Sequence, residues 1–277
     1  MPVPDGAVRN KSGREGIFMP SKTRTIVFGL LLVALGCFST GGASALFSQT
    51  VVTPGTILPI RLNDSLSSRK SKSGDVISGR IMQDVPLQNG SSIHSGTRVM
   101  GRVLSVTPAA NSGDTQISFQ FDSIQLLHSA VPITTNLRAL ASLLEIDDAQ
   151  LPLYGGDRGT PSTAYTTVQI GGDEVVYRGG GPVARGDTVV GKPVYGGVLV
   201  NVSSAPGAPC RGAIEGNNQP QSLWLFSSYA CGVYGYAGVS ISHAGRTSPV
   251  GQIVLSTSGR EFNIRAGSGM LLRVDPQ

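Results

Sequence analysis

Charge is scarce in this chain: Asp, Glu, Lys and Arg make up 14% of its 277 residues, and aromatic residues make up 6%. The net charge of +5 is concentrated at the start. Residues 1–45 hold five Lys/Arg and two Asp/Glu, which leaves 17 basic and 15 acidic residues and a net of +2 for the rest. No dense basic stripe remains, so nucleic acid is excluded as an expected partner. There are three cysteines and three histidines. With no Cys-x-x-Cys, and with His94, His128 and His243 far apart in sequence, no zinc ligand set is in place. Gly-x-Ser-x-Gly, His-Glu-x-x-His and a Gly-rich phosphate loop with a following Lys are all missing, so the chain is read as non-enzymatic and without a cofactor.

Long apolar runs are lacking too. The apolar stretch at 26–37 is about a dozen residues, short of the ~20 needed to cross a bilayer. Lys22 and Arg24 precede it and Ala43-Ser44-Ala45 follows it, the order of a cleaved export signal. Cleavage is expected between Ala45 and Leu46, with Met19 as an alternative start that leaves 1–18 ahead of a leader of ordinary length. Two other readings rank lower. An uncut anchor is interrupted by Ser39-Thr40-Gly41-Gly42, and lipidation at Cys37 meets Leu35-Gly36 in the reverse of the usual order. The mature chain is therefore expected in the periplasm, at the outer membrane or secreted. Spanning the outer membrane by this chain alone is disfavoured by short strands, few aromatics and a C-terminal Asp275-Pro276-Gln277 without an aromatic end.

Cys37 leaves with the leader, so Cys210 and Cys231 remain as an even pair in an oxidising compartment, and a disulfide is expected between them. Closing that loop of about 22 residues contributes on the order of 3 kcal/mol in the chain-entropy model.

What is present in abundance is glycine, 37 residues, spaced between short apolar segments. That pattern predicts antiparallel strands with tight turns. Strands are expected over 56–62, 75–85, 97–106, 116–126 and 130–135, with Asn89-Gly90 as a hairpin turn. Pro59 lacks an N–H and predicts an edge or a bulge for the first strand. In 116–126 the period of two puts Ile117, Phe119, Phe121 and Ser123 on one face. Leu137, Leu140 and Leu144 predict a short helix over 136–146. The loop 67–74 carries Arg69, Lys70 and Lys72 and reads as a solvated connection.

Residues 147–164 read as a Gly- and Pro-rich linker, followed by a β-rich insertion over 165–250 with strands at 168–170, 174–177, 187–190 and 198–202. The closing strands then occupy 251–277. The insertion holds the cysteine pair and, clustered near it, five of the sixteen aromatics: Trp224, Phe226, Tyr229, Tyr234 and Tyr236. Trp224 and Phe226 alternate along a strand and are expected in the core. Trp224 is also counted with Tyr229, Tyr234 and Tyr236 among the candidate binding residues, because exposed rings stack on sugars and anchor interfaces. If Tyr234 and Tyr236 bind, replacing them abolishes binding without changing stability.

One design recurs: a small residue and Gly lead into a strand that ends in Arg and an apolar residue, from Pro54-Gly55-Thr56 to Leu62, Ser95-Gly96-Thr97 to Val103 and Ala266-Gly267-Ser268 to Val274. Glycine permits the sharp reversal, and the spacing is too uneven for a solenoid. The fold expected is mainly β: a small, partly closed antiparallel barrel with a β-rich, disulfide-containing insertion and one short helix. Gly55-Thr56-Ile57, Ser67-Ser68, Gly74-Asp75-Val76 and Ile93-His94-Ser95-Gly96-Thr97-Arg98-Val99-Met100-Gly101 resemble the C-terminal barrel of the TrbI-like family, the channel core of conjugation and type IV secretion machines. The resemblance covers about residues 53–135 and 260–275, and Met270-Leu271-Leu272-Arg273-Val274 resembles that family's last strand. It implies a soluble envelope barrel that binds other envelope components. The family's cytoplasmic tail, membrane span, Pro-rich stretch and pore-forming helical hairpin have no counterpart here, so pore formation is not carried over.

His94, His128 and His243 read as surface or capping residues, with His243 near Asp187 or Glu174 as the alternative. Asp147-Asp148 and Asp173-Glu174 read as loop and turn acids, and Arg185-Gly186-Asp187 as a turn rather than an adhesion tripeptide. The function expected is structural or partner-binding, with envelope proteins as partners, membrane association through an assembly and self-association included. A secreted glycan-binding module is second, and a hydrolase third.

Overall fold

The computed structural model describes residues 52–150, 164–200 and 221–276, with breaks at 109–112, 128, 173, 179–181, 195–196, 224, 228–229 and 260. The export signal, including Ala45 and Leu46, lies outside the described residues. So do Cys37, Cys210, His128, Trp224 and Tyr229.

Ten strands form the main sheet: β1 (Ile57–Leu62), β2 (Val76–Ile81), β3 (Arg98–Thr107), β4 (Asp114–Leu126), β5 (Ser129–Pro132), β6 (Thr134–Ala141), β7 (Gly232–Tyr234), β8 (Val239–His243), β9 (Ile253–Ser258) and β10 (Gly269–Asp275). Their order is β7-β6-β10-β1-β2-β3-β4-β9-β8, with β5 alongside β4. Every pairing is antiparallel except β7 on β6. The two ends of the sheet curl toward each other into a nearly closed barrel. The Leu137 N–H donates to the Ala244 carbonyl (2.9 Å) and the Thr135 hydroxyl to the Phe121 carbonyl (3.1 Å). The fold is mainly β, as the sequence predicts.

Apolar alternation fills the barrel. Leu58, Ile60, Val99, Val103, Ile117, Phe119, Phe121, Leu255, Met270 and Leu272 all belong to one buried cluster. Phe119 and Phe121 meet edge to face, with centroids 6.0 Å apart at 86°. The inward set in β4 then continues with Ile124 rather than Ser123. The register shifts where Met100 opposes Ser123 and Gly101 opposes Phe121, so Asp122 is the extra residue and the face of everything after it changes. Gly101 sits in that irregularity, where a Cβ would overlap the Gln120 carbonyl oxygen.

Ile57, Ala139, Ala141 and Leu271 alternate with the inward residues and pack outside the barrel against Ile146, Ala149, Ile170, Val183, Leu223 and Phe226. β1 and β6 are thus covered on both faces, which is why they read as nearly continuous apolar runs. The outer layer includes a six-stranded antiparallel meander running from Ala164–Val168 through Glu174–Arg178, Val183–Arg185, Thr188–Val194 and Gly197–Val200 to Gln221–Ser222. The insertion is β-rich, and the chain rejoins the main sheet at Gly232, earlier than the expected boundary at 250.

Four turns share one geometry. Thr56 N–H donates to Thr53, Asp75 to Lys72, Thr97 to His94 and Ser268 to Arg265, each closing a four-residue reversal. The third residue is Gly55, Gly74, Gly96 or Gly267, with φ between 86° and 90°. Type II turns require a positive φ there. Three of these are the recurring sequence design, and the Gly74 turn is a fourth.

The sequence-based helix needs correction. Residues 134–141 are strand β6, paired through seven residues with β10, and the helix α1 (Leu143–Gln150) begins after it. Pairing with a buried strand outweighs the weak helical spacing of the three leucines. Ser142 caps α1: its hydroxyl accepts from the Glu145 N–H (3.3 Å) and its carbonyl from Ile146 (3.1 Å). Asp147-Asp148 therefore lie in a helix rather than a linker, and Asp147 accepts from Arg61 Nη2 at 3.3 Å.

Pro59 is likewise not on an edge. β1 lies between β10 and β2, and the ladder to β2 starts at Ile60. The Pro59 carbonyl accepts from the Met82 N–H (3.0 Å), and the bond Pro59 cannot return marks where that ladder stops. The expected strand 130–135 is two strands, β5 and β6, broken after Pro132.

Candidate binding groove

The loop over 67–74 is built by its serines. Ser67 Oγ accepts from the Arg69 and Lys70 N–H groups (both 3.3 Å), and Ser71 Oγ accepts from the Ser67 N–H (3.0 Å). Ser68 exchanges two bonds with Phe262: its N–H donates to the Phe262 carbonyl (3.1 Å) and its hydroxyl accepts from the Phe262 N–H (3.0 Å). Asp75 Oδ2 accepts from the Lys72 N–H at 2.7 Å, and the Ser73 hydroxyl donates to the Leu104 carbonyl at 2.7 Å. With the backbone tied down this way, Arg69, Lys70 and Lys72 project into solvent.

Facing this loop is the far end of β3. Gly74 N–H donates to the Val103 carbonyl and Val103 N–H to the Asp75 carbonyl (both 2.9 Å), after which the chain carrying β2 turns away. Among the described residues, positions 104–107 have a strand partner on one side only, that of β4. Between loop and strand end lies an open groove of about 870 Å³, whose walls include Arg69, Lys72, Ser73, Leu104, Val106 and Glu261. Lys70 lines a second, smaller hollow of about 340 Å³ with Ser67, Ser71 and Asp75. Arg69 and Glu261 stand 3.8 Å apart and both are largely exposed, so their pairing holds neither firmly. Among the described residues, no aromatic ring lines either space.

The tyrosines proposed from sequence sit elsewhere and are half-buried. Tyr234 packs against the outer cluster, and its hydroxyl bonds the Cys231 N–H and carbonyl (both 2.9 Å). Tyr236 packs on the barrel core; its hydroxyl bonds the Ser268 hydroxyl and accepts from the Arg265 N–H (3.3 Å). Burial pushes the Tyr236 phenol above its ordinary pKa, against the Ser268 and Arg265 interactions that pull it down. Phe226 is fully buried, as expected. Cys231 is half-buried, and Cys210, its expected partner, lies outside the described residues.

His243 is a structural ring. Nδ1 contacts the Gln252 carbonyl (2.6 Å) and the Gly245 N–H (3.0 Å), and Nε2 the Thr247 hydroxyl (3.0 Å). Asp187 is not among these partners, and the Glu174 side chain lies outside the described residues. His94 is exposed, 3.7 Å from Asp84. Gly186, at φ 57°, and Asp187 form the turn between paired Arg185 and Thr188, which is the turn reading of that tripeptide. Among the described residues, no three His, Cys, Asp or Glu side chains gather into a metal-ligating group.

A polar knot lies beside the barrel seam. Asn136 Nδ2 donates to Asp275 Oδ1 at 2.6 Å, while Asp275 Oδ2 and Arg273 Nε are buried without hydrogen-bond partners among the described residues. Burial raises the Asp275 pKa, opposed by the Asn136 bond and by Arg273 and Arg246. Arg246 is lowered by burial and by Arg273, and Asp275 opposes that.

The groove is the feature that the sequence reading passed over. Three cations interleaved with serines before Gly74 are visible in sequence, but where β2 leaves β3 unpaired is not. No family model matches this chain, and no curated protein or solved structure matches it.

Proposed function

We propose that this chain is an exported, non-enzymatic protein of a bacterial cell envelope whose TrbI-like barrel serves as a platform for binding partner proteins. The observation that carries this reading is the barrel rim itself. An open strand edge and a groove walled by hydroxyls and cations are recognition features. The export signal, with cleavage between Ala45 and Leu46, and the Cys210–Cys231 disulfide belong to the same proposal, because both require an oxidising compartment. Glycan binding through Tyr234 and Tyr236 is the weaker reading, since both hydroxyls are bonded within the protein.

The test is fractionation combined with crosslinking in cells. The expected result is a chain beginning at Leu46 in the envelope fraction, with Cys210 and Cys231 joined in the peptide map and crosslinked to envelope proteins. An unprocessed chain in the cytosol with both thiols free overturns the proposal.

A further inference from the structure

We propose that the groove between the 67–74 loop and the end of β3 receives an extended acidic segment of a partner protein, which adds a strand to β3 while its carboxylates meet Arg69 and Lys72. This rests on the partner-binding reading above and names the chemistry of the partner.

Three observations on one rim carry it. First, β3 outruns its neighbour: the bonds between Val103 and the Gly74-Asp75 pair end the ladder, and positions 104–107 continue, paired only to β4. A strand edge presents N–H and C=O groups that an incoming peptide backbone matches. The Leu104 carbonyl accepts a side-chain bond of 2.7 Å from the Ser73 hydroxyl rather than one from a neighbouring strand. Ser105 and Thr107 are exposed.

Second, the open space has the right place and size. The groove of about 870 Å³ runs beside this edge, where β2 would have continued had Gly74 not reversed the chain. At about 3.3 Å per residue, four residues of edge offer a contact roughly 13 Å long.

Third, the charge has one sign in excess: among the described residues, Arg69 and Lys72 line the groove with Glu261 as the one acid, and Lys70 lies next door. Carboxylates spaced along a strand complement that balance, and basic strands are repelled. The absence of aromatic rings from the lining removes the stacking surface that a neutral glycan uses. The register shift between Val103 and Ser105 and the flanking lysine also guard an exposed edge against indiscriminate pairing, so selectivity between acidic and basic strands is the deciding property.

The experiment is fluorescence anisotropy on the full chain with a labelled octapeptide of alternating Glu and Val. It is compared with its Lys-Val twin and with a Glu-Val version N-methylated at alternate amides. The Glu-Val peptide is expected to bind at least about tenfold more tightly than the Lys-Val twin. The double variant Arg69→Glu with Lys72→Glu is expected to lose about tenfold or more of that affinity. N-methylation on the edge-facing side is expected to abolish binding, because it removes the main-chain donors. Equal binding of the acidic and basic peptides, or full binding by the peptide N-methylated on either register, overturns the inference. Displacement of the peptide by inorganic polyphosphate at equal charge and ionic strength overturns it as well, leaving a simple anion site. The outcome is independent of the cellular test: a cytosolic chain that still binds the acidic strand loses the export reading and keeps the groove, whereas crosslinked envelope partners with no acidic-strand binding do the opposite.

Discussion

The amide of Leu137 donates to the carbonyl of Ala244 at 2.9 Å, joining β6 to the segment just after β8 although the two strands stand near opposite ends of the sheet order. This bond and its neighbours turn an open ten-stranded sheet into a nearly closed barrel. They leave little unpaired edge there, in contrast to the end of β3.

The Leu137 amide is therefore expected among the slowest to exchange with deuterium, opening only with global unfolding. The amide of Val106, on the one-sided end of β3, faces the open edge, because its partner Ile117 lies two residues along β4 from Phe119, the partner of Val103, whose own N–H points to Asp75; it is expected to exchange faster by orders of magnitude. Residue-resolved hydrogen exchange checks both, and rapid exchange at Leu137 would show that the seam opens independently.

Gly101→Ala is expected to cost about 3 kcal/mol in urea unfolding, because the new methyl must displace the Gln120 backbone and with it the β3–β4 pairing. Gly90→Ala is a contrast. Among the described residues, no atom beyond its chain neighbours lies within 4 Å of where its Cβ would stand, so only the positive φ of 81° opposes it, at about 1 kcal/mol. Equal costs for the two would remove the close-approach argument.

Tyr236→Phe is expected to destabilise the fold by about 1 kcal/mol at neutral pH by leaving the Ser268 hydroxyl and Arg265 N–H with one partner fewer. The phenol's folded pKa is raised, so its contribution is fully present below the ordinary value of 10.0 and is lost as pH rises through the folded value. The gap in melting temperature between wild type and Tyr236→Phe should thus narrow above pH 10, and a gap that widens there contradicts the assignment.

Asp275→Asn is expected to raise stability at pH 7. The raised folded pKa means that the acid favours the folded state below its ordinary value of 3.8 and loses that contribution as pH rises through the folded value. Asparagine keeps an acceptor for Asn136 and carries no buried charge. The gain, on the order of 1 kcal/mol, should vanish below about pH 4. Thermal melts across this range check the sign, and a variant less stable than wild type at pH 7 would show that Arg273 and Arg246 depend on the carboxylate.

Local chemistry made much of the barrel legible. Gly55, Gly96 and Gly267 mark turns because a positive φ is needed at one place in each, and Ile117, Phe119 and Phe121 alternate because a sheet has two faces. The sequence-based helix starts a few residues early although Ser142 and Glu145 carry a capping-box pattern, since Leu137 and Leu140 repeat at a helical spacing inside β6. Ser123 was assigned to the inward face because no local signal announces the extra residue at Asp122, which exists only through its mismatch with β3.

By itself the sequence determined the mainly β class, the turn positions, the low charge of the chain beyond residue 45 and the cation-bearing serine loop, because each follows from residues close together in the chain. Only the tertiary structure decided that β6 is a strand, that Pro59 lies inside the sheet, that Tyr236 reaches Ser268 and that β3 outruns β2 beside Arg69 and Lys72. Those outcomes depend on which distant strand becomes a neighbour, and the energy of that pairing is a property of two segments together.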